Sequence, residues 1–500
     1  MRRPPGWLVV VSAFLAWSPC LAAQERVPER LTLEQALEVA SRNSPVFLRA
    51  RNDRALADWD VRQAYGQLLP TANASSRVSW QGSGEQQLGS SLTAGDLGLG
   101  NQPSYYFSSW DVGVNYSLDW ATIRGPALAK AEREATVARI DATGSELAAL
   151  VTTAYVEVLR RSELLNTARQ QLENARINLR LAQGQLEVGS VTPIDVGQAE
   201  VQVGRAEVQV LQADNAVETA RMRLLQQMGV GVGQPFEPGT EFIAQPPRWG
   251  LDSLRALALV ENPTLRATRM TRESAELGVS SAWSSYLPSL SISTGWGGFA
   301  RQASDAGFLV ARAQAQAAGA ISRCVSTNDL YRRLADPLPP VDCSQLVFTD
   351  EQRRSIYAAN DQFPFGFERS APAVSFGLSI PIFTGLSRQR NLEAARIQRD
   401  DVTQELRERE LALEADLRIA LANVETAFRS ASLEERNRDL AERQLTLARE
   451  RYQLGAITFV ELMDAQTVLS QAESDHIVAL FAYHDAVTDL EALVGAPLRD

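Results

Sequence analysis

The chain has 500 residues, 45% of them hydrophobic, and a formal net charge of −11, with a slightly negative mean hydropathy. That balance excludes a bundle of membrane helices, exceeds one ordinary domain and argues against a basic nucleic-acid surface. Size alone predicts two domains or one long repeated fold.

Residues 1–23 read as a secretory signal peptide: Arg2 and Arg3, an apolar run from Trp7 to Trp17, then small residues up to Ala23. The mature chain is therefore expected to be exported, and losing two arginines and no acid takes its charge from −11 to −13. A lipid-modified Cys20 is the rival reading, but Pro19 just before it makes a poor lipobox.

A helical run of about 35 residues follows at 32–66, with apolar residues at helical spacing. Two stretches of strict alternation come next, predicting strands at about 71–81 and 107–119. In the second, Trp110, Val112, Val114, Tyr116 and Leu118 alternate with Asp111, Gly113, Asn115 and Ser117. Their length suits a tilted membrane strand, and Trp80 and Trp110 at the ends suit an interfacial girdle; half of a soluble β-sandwich would show the same alternation.

Residues 127–188 then predict a rod of roughly 90 Å, with Val158, Leu165, Leu172, Leu179 and Leu186 at heptad spacing. It turns at "LEVGSVTPIDVGQAEV" (186–201) and returns as a helix at about 193–228. Gly189 opens the turn because glycine accepts positive φ just past a helix end. "GVGVGQPFEPG" (229–239) superficially resembles a phosphate-cradling loop, but it follows a helix and lacks a Gly-Lys-Ser/Thr end, so it reads as a helix cap and linker.

The same order is then written a second time. Pro45 and Arg51 recur 218 positions on as Pro263 and Arg269, whereas Gly189, Thr192, Asp195 and Ala199 recur 266 positions on as Gly455, Thr458, Glu461 and Ala465. The repeats are thus 24–248 and 249–500, and the second carries about 46 extra residues within 300–370. Its helical run is 251–284, its strands about 288–299 and 372–383, with a surface loop expected at 300–371. A second rod of roughly 100 Å is predicted at 388–454, with Leu433, Leu440, Leu447 and Leu454 in heptad steps, and a return helix at 459–494. The turns at 188–192 and 454–458 become the tips of two antiparallel coiled-coil hairpins.

Cys324 and Cys343 are the two cysteines left in the mature chain, an even pair in an oxidising compartment, and a disulfide between them is the favoured reading; two free thiols are the alternative. His476 and His484 have no carboxylate or cysteine at convincing ligand spacing, methionines are few and scattered, and no Ser/His/Asp or Cys/His arrangement stands out. No catalysis, metal site or cofactor is expected.

Four membrane strands make an open sheet whose edge amides and carbonyls would be unsatisfied in lipid, so a barrel must be shared between chains. The repeated order, the Asn and Pro near the start of each copy, the "VGSVTPIDV" turn and the "RYQLGAITFVELMDAQ" turn resemble the TolC family of outer-membrane efflux channels over nearly the whole mature chain. The resemblance implies an α+β homotrimer in the outer membrane. Four strands per chain would close a shared 12-stranded β-barrel, continued by a coiled-coil tunnel into the periplasm. It also implies a passive exit duct that docks a periplasmic adaptor (membrane fusion) protein and an inner-membrane transporter.

By the same resemblance, Val188, Gly189, Ser190 and Val191, with Leu454, Gly455, Ala456 and Ile457, meet the adaptor hairpin. Glu461 and Asp464 match acids near the periplasmic mouth, where three chains would form a ring favouring cations, solvated helix-face acids being the alternative, and Tyr452 and Asp195 match residues that keep the mouth closed. Family members often carry an arginine where this chain has Ile457, so the gate's bonding is expected to differ. The reading from a different class is an exported coiled-coil structural or adhesive protein.

Overall fold

The computed structural model describes residues 27–84, 102–240, 244–336 and 338–499. The expected signal peptide and Cys20 lie outside the described residues. The chain divides into two compact units: one takes in the residues up to Val61, Ala127–Val279 and Glu393 onward, the other Arg62–Pro126 and Ser280–Leu392.

In chain order, β1 (Arg30–Leu31) leads to α1 (Leu33–Asn43), which starts on a capping box between Thr32 and Gln35. Ser44 leaves the helix with ψ 118°, and α2 (Pro45–Gly66) starts at the proline. The second repeat does the same: α5 (Leu251–Glu261), Asn262 with ψ 114°, then α6 (Pro263–Ser284). Each run expected as one 35-residue helix is therefore two. The residue before a proline is pushed out of the helical region, and the proline then serves as the first residue of the next helix.

The strands β2 (Thr71–Gln81) and β3 (Tyr105–Leu118) precede α3 (Trp120–Glu187) and α4 (Pro193–Met228). A short β4 (Glu237–Pro238) pairs in parallel with β1. After α5 and α6 come β5 (Ser289–Ala303), α7 (Ala306–Arg332), α8 (Asp350–Asn360), β6 (Glu368–Arg369), β7 (Ala373–Ser379), α9 (Ser387–Gln453) and α10 (Phe459–Val494).

Three expectations need correcting. The stretch 300–371 is not a plain loop: β5 runs on to Ala303, and alanine-rich α7, with α8, occupies most of the insert, as alanine's high helix propensity favours. The disulfide Cys324–Cys343, with Cα atoms 5.9 Å apart, ties α7 to a short 3-10 turn. Next, α3 starts seven residues before 127, because the Asp119 carboxylate accepts from the Thr122 amide at 2.6 Å and caps the helix ahead of Pro126. Finally, the heptad row Leu433, Leu440, Leu447 and Leu454 is exposed rather than packed within the chain. The packed face of α9 is instead Leu413, Leu417, Ala420 and Val424, then Ala441, Leu445 and Tyr452.

In the sheet unit the order is β2-β3-β5-β7, all antiparallel, with β6 pairing the far end of β5. Register runs from Thr71↔Asn115 to Gln81↔Tyr105, then from Tyr105↔Ala303 to Leu118↔Leu290. One face holds hydrogen-bonded polar pairs, including Ser293–Ser375; the other exposes Val78, Trp80, Val374, Phe376 and Leu378. Both outer edges, β2 and β7, lack a further strand among the described residues.

Among the described residues the rod unit shows three cores. In the first, the fully buried Tyr155 of α3 donates its hydroxyl to the Leu31 carbonyl at 2.7 Å and accepts from the Gly239 and Thr240 amides at 3.1 Å. The second gathers Leu254, Leu265, Leu417, Val424, Val487 and Leu490. The helix-ending Gly229 and Gly495 both have positive φ, and a Cβ there would meet the Asn43 and Glu261 carbonyls at 2.4 and 2.6 Å. Gly229 thus caps α4, in the linker read above as a cap. The third core lies by the hairpin turns.

Candidate functional site: the hairpin tips

Each hairpin turns by the same local chemistry. After α3, Gly189 has φ 72°, its amide donates to the Leu186 carbonyl at 3.0 Å, and the Ser190 amide reaches back to the Gln185 carbonyl at 2.8 Å. After α9, Gly455 has φ 71°, with matching bonds from Gly455 to Tyr452 at 3.0 Å and from Ala456 to Arg451 at 2.8 Å. This pair of bonds satisfies the last helix carbonyls and requires the left-handed residue that glycine supplies.

Both return helices then start on a capping box. The Thr192 amide donates to the Asp195 carboxylate at 2.7 Å and the Asp195 amide to the Thr192 hydroxyl at 3.4 Å; Thr458 and Glu461 repeat this at 2.7 and 3.3 Å. The backbone and hydroxyl bonds from these threonines hold both carboxyl groups below their ordinary range, so both acids stay charged. Two residues expected from sequence as gate acids therefore also start their own helices. The sequence signal for these caps is the Thr-x-x-acid spacing shared by the two repeats.

The tip side chains divide into two sets. Val188 and Leu454 are 75% and 84% exposed, the largest apolar groups offered at either turn. Gly189, Ser190, Gly455 and Ala456 are exposed around them, while Val191 and Ile457 are half-buried. Ile457, where family members often carry an arginine, packs on the third core, apolar and partly inside.

That core joins Ala182 of α3 and Ala199 of α4 to Leu445 and Tyr452 of α9 and Phe459, Leu462 and Leu469 of α10. Tyr452 is buried, its ring centroid 5.9 Å from that of Phe459, and its hydroxyl has no hydrogen-bond partner among the described residues. Burial, then the charge of Asp195, pushes its phenol up, so the hydroxyl remains a donor. Asp464 is exposed on α10 one helical turn beyond Glu461.

Polar bridges unread in the sequence join the hairpins: Asn178 of α3 bonds Gln466 of α10, and Arg449 of α9 donates to Asn174 of α3 at 3.1 Å. They connect one repeat to the other at positions the repeat does not pair, so the pattern carried no signal for them. Of the two histidines, His484 is buried and held at about 4 by burial and then by Arg499, and His476 is half-buried and also lowered. Among the described residues no group of three His, Cys, Asp or Glu could hold a metal ion, and no helix is long and apolar enough to cross a membrane.

The architecture is shared with solved channels. The Campylobacter jejuni CmeC outer membrane channel superposes with a TM-score of 0.68 over 96% of this chain and 92% of that one, at 14% identity, which shows the fold. In sequence the chain is 28% identical over 207 residues to the fusaric acid resistance protein FusA of Burkholderia cepacia. It is 26% identical over 265 residues to the outer membrane protein TolC of Vibrio cholerae. Those matches take in 40% and 53% of this chain, and the chain spans 38% and 57% of the length of these relatives. The description "outer membrane efflux protein" belongs to a family whose model matches residues 36–230 and 335–496, taking in both hairpins and most of both repeats. On that match and the shared fold, the chain belongs to the outer membrane efflux protein family.

Proposed function

We propose that the protein is the outer-membrane exit duct of a tripartite efflux or type I secretion system. Three copies form a passive channel that docks a periplasmic adaptor and an inner-membrane pump, and the pump supplies the energy. The observation that carries this reading is the antiparallel sheet of β2, β3, β5 and β7, with β6 beside β7 on β5, which has an exposed apolar face and, among the described residues, no further strand beyond β2 or β7. In lipid those edges must be paired, and β2 of one copy against β7 of the next closes a ring without leaving an edge. Three copies, the number the family resemblance implies, make twelve strands.

In this reading the disulfide-tied insert faces the outside. The four helices α3, α4, α9 and α10 contribute a third of a periplasmic tunnel, and the tips with Val188 and Leu454 meet the adaptor. Glu461 and Asp464 line the mouth, while Tyr452 and Asp195 hold it closed. The charge of Glu461 is secured by its cap, which supports its place in an acidic ring.

The mass of detergent-extracted mature protein by size-exclusion chromatography with light scattering tests the proposal. Three chains from the outer-membrane fraction support it; a single chain soluble without detergent replaces it with an exported structural or adhesive rod. In bilayer recordings, Asp464→Asn with Glu461→Gln is expected to lower cation selectivity, and unchanged selectivity would remove both acids from the pore lining.

A further inference from the structure

Among the described residues, nothing covers an apolar row on α4 and another on α9. On α4, Val201 and Val208 are 55% and 51% exposed, on the side away from Ala199 and Ala206, which face the core. On α9, Leu440 and Leu447 are 61% and 48% exposed. Both rows step by seven, the spacing of helix seams. Between the α4 residues lies Gly204, in mid-helix, where a Cβ would meet nothing within 4 Å. Mid-helix glycine costs helix stability, and no packing within the chain accounts for this one.

We propose that these rows are the two halves of one seam between copies of this chain, Leu447 of one copy entering the hole around Gly204 on α4 of the next. The proposal rests on the trimeric reading above and goes beyond it in naming the faces and their register.

The level of each residue can be counted along α3. Asn178 bonds Gln466, and Arg176 pairs with Glu207 at 3.1 Å. Gln466 and Glu207 therefore lie at nearly the same height. Leu447 lies six residues before the end of α9 at Gln453 and Ala465 six residues after the start of α10 at Phe459, so Leu447 lies across the α9–α10 hairpin from Ala465, next to Gln466. Leu447 thus comes level with Gly204, within the hole formed by Val201, Gly204, Arg205 and Val208. A rotation about an axis along the rods preserves height, so the match carries over to a neighbouring copy. Charges follow the same count: exposed Arg443 and Arg436 come within about two residues of the height of Glu207 and Asp214. Neither arginine is ion-paired among the described residues, whereas both acids keep about half of their side-chain surface open.

The test is thiol cross-linking of the full chain in outer membranes. Cys324 and Cys343 are joined to each other, so introduced thiols react alone. Val208→Cys with Leu447→Cys and a short bis-thiosulfonate linker is expected to give covalent dimers and trimers. Val208→Cys with Leu433→Cys, two heptads out of level, is expected to give at least tenfold less. Light scattering of the unmodified protein is read alongside. A three-chain mass without the in-level product, with equal product from the out-of-level pair, or with cross-links only inside one chain overturns the seam and leaves the channel standing. A one-chain mass overturns both.

Discussion

The buried hydroxyl of Tyr452 separates a gate from an ordinary core residue. Within one chain it is shielded from water and has no partner among the described residues, a state that costs about 1–3 kcal/mol. If the neighbouring copy supplies an acceptor when the mouth is closed, Tyr452→Phe removes one net hydrogen bond per chain, about 0.5–1.5 kcal/mol, and leaves the ring against Phe459. Over three chains that is roughly 1.5–4.5 kcal/mol, so the ratio of open to closed channels is expected to rise about 10- to 2,000-fold. Single-channel recordings in planar bilayers read that ratio directly. If instead the hydroxyl is orphaned in the assembly too, the phenylalanine variant melts higher and opens no more often. That result would refute the gate.

Cap and charge can be separated at the second tip. Thr458→Ala keeps the Glu461 charge but loses the cap, costing about 1 kcal/mol per chain and loosening the start of α10 in hydrogen exchange, whereas Glu461→Gln keeps much of the cap and changes only ion selectivity. Tyr155→Phe removes the hydroxyl that the Thr240 amide donates to, while the Leu31 carbonyl and the Gly239 amide keep their own bond at 2.9 Å, and is expected to cost about 2–3 kcal/mol. Tyr483→Phe loses a single bond, to the Gln245 carbonyl, for about 1 kcal/mol, so equal melting shifts for the two variants would contradict this account. Asp485, set among Arg160, Glu157, Asp489 and Arg499, is pushed up to about 6 by burial. A raised carboxyl pKa means the folded chain holds the proton more tightly than the unfolded one. The stability it contributes is full below the unfolded value of about 3.8 and is lost as pH rises through about 6. Asp485→Asn is therefore expected to flatten the melting temperature across that window and raise it at neutral pH.

Features that depend only on neighbours along the chain were legible from the residues alone. The duplicated order, the alternating strands and the two glycine turns were legible because period-2 patterning and the need for positive φ at Gly189 and Gly455 are local properties. The acids of the capping boxes are equally local, since Thr-x-x-acid spacing at a helix start is enough to form the cap. Tertiary structure alone decided which apolar rows face inward. Leu433, Leu440 and Leu447 have the same spacing as Val158 and Leu165, yet the first set is exposed and the second buried. Spacing states that residues share a helix face; it does not state which face the next helix covers. The bridges from Asn178 to Gln466 and from Arg449 to Asn174 were illegible for a related reason, since they join positions nearly 300 residues apart that the repeat leaves unpaired. Where the helices broke at Ser44 and Asn262, the proline was visible, but periodicity on both sides hid that the second helix takes a new start.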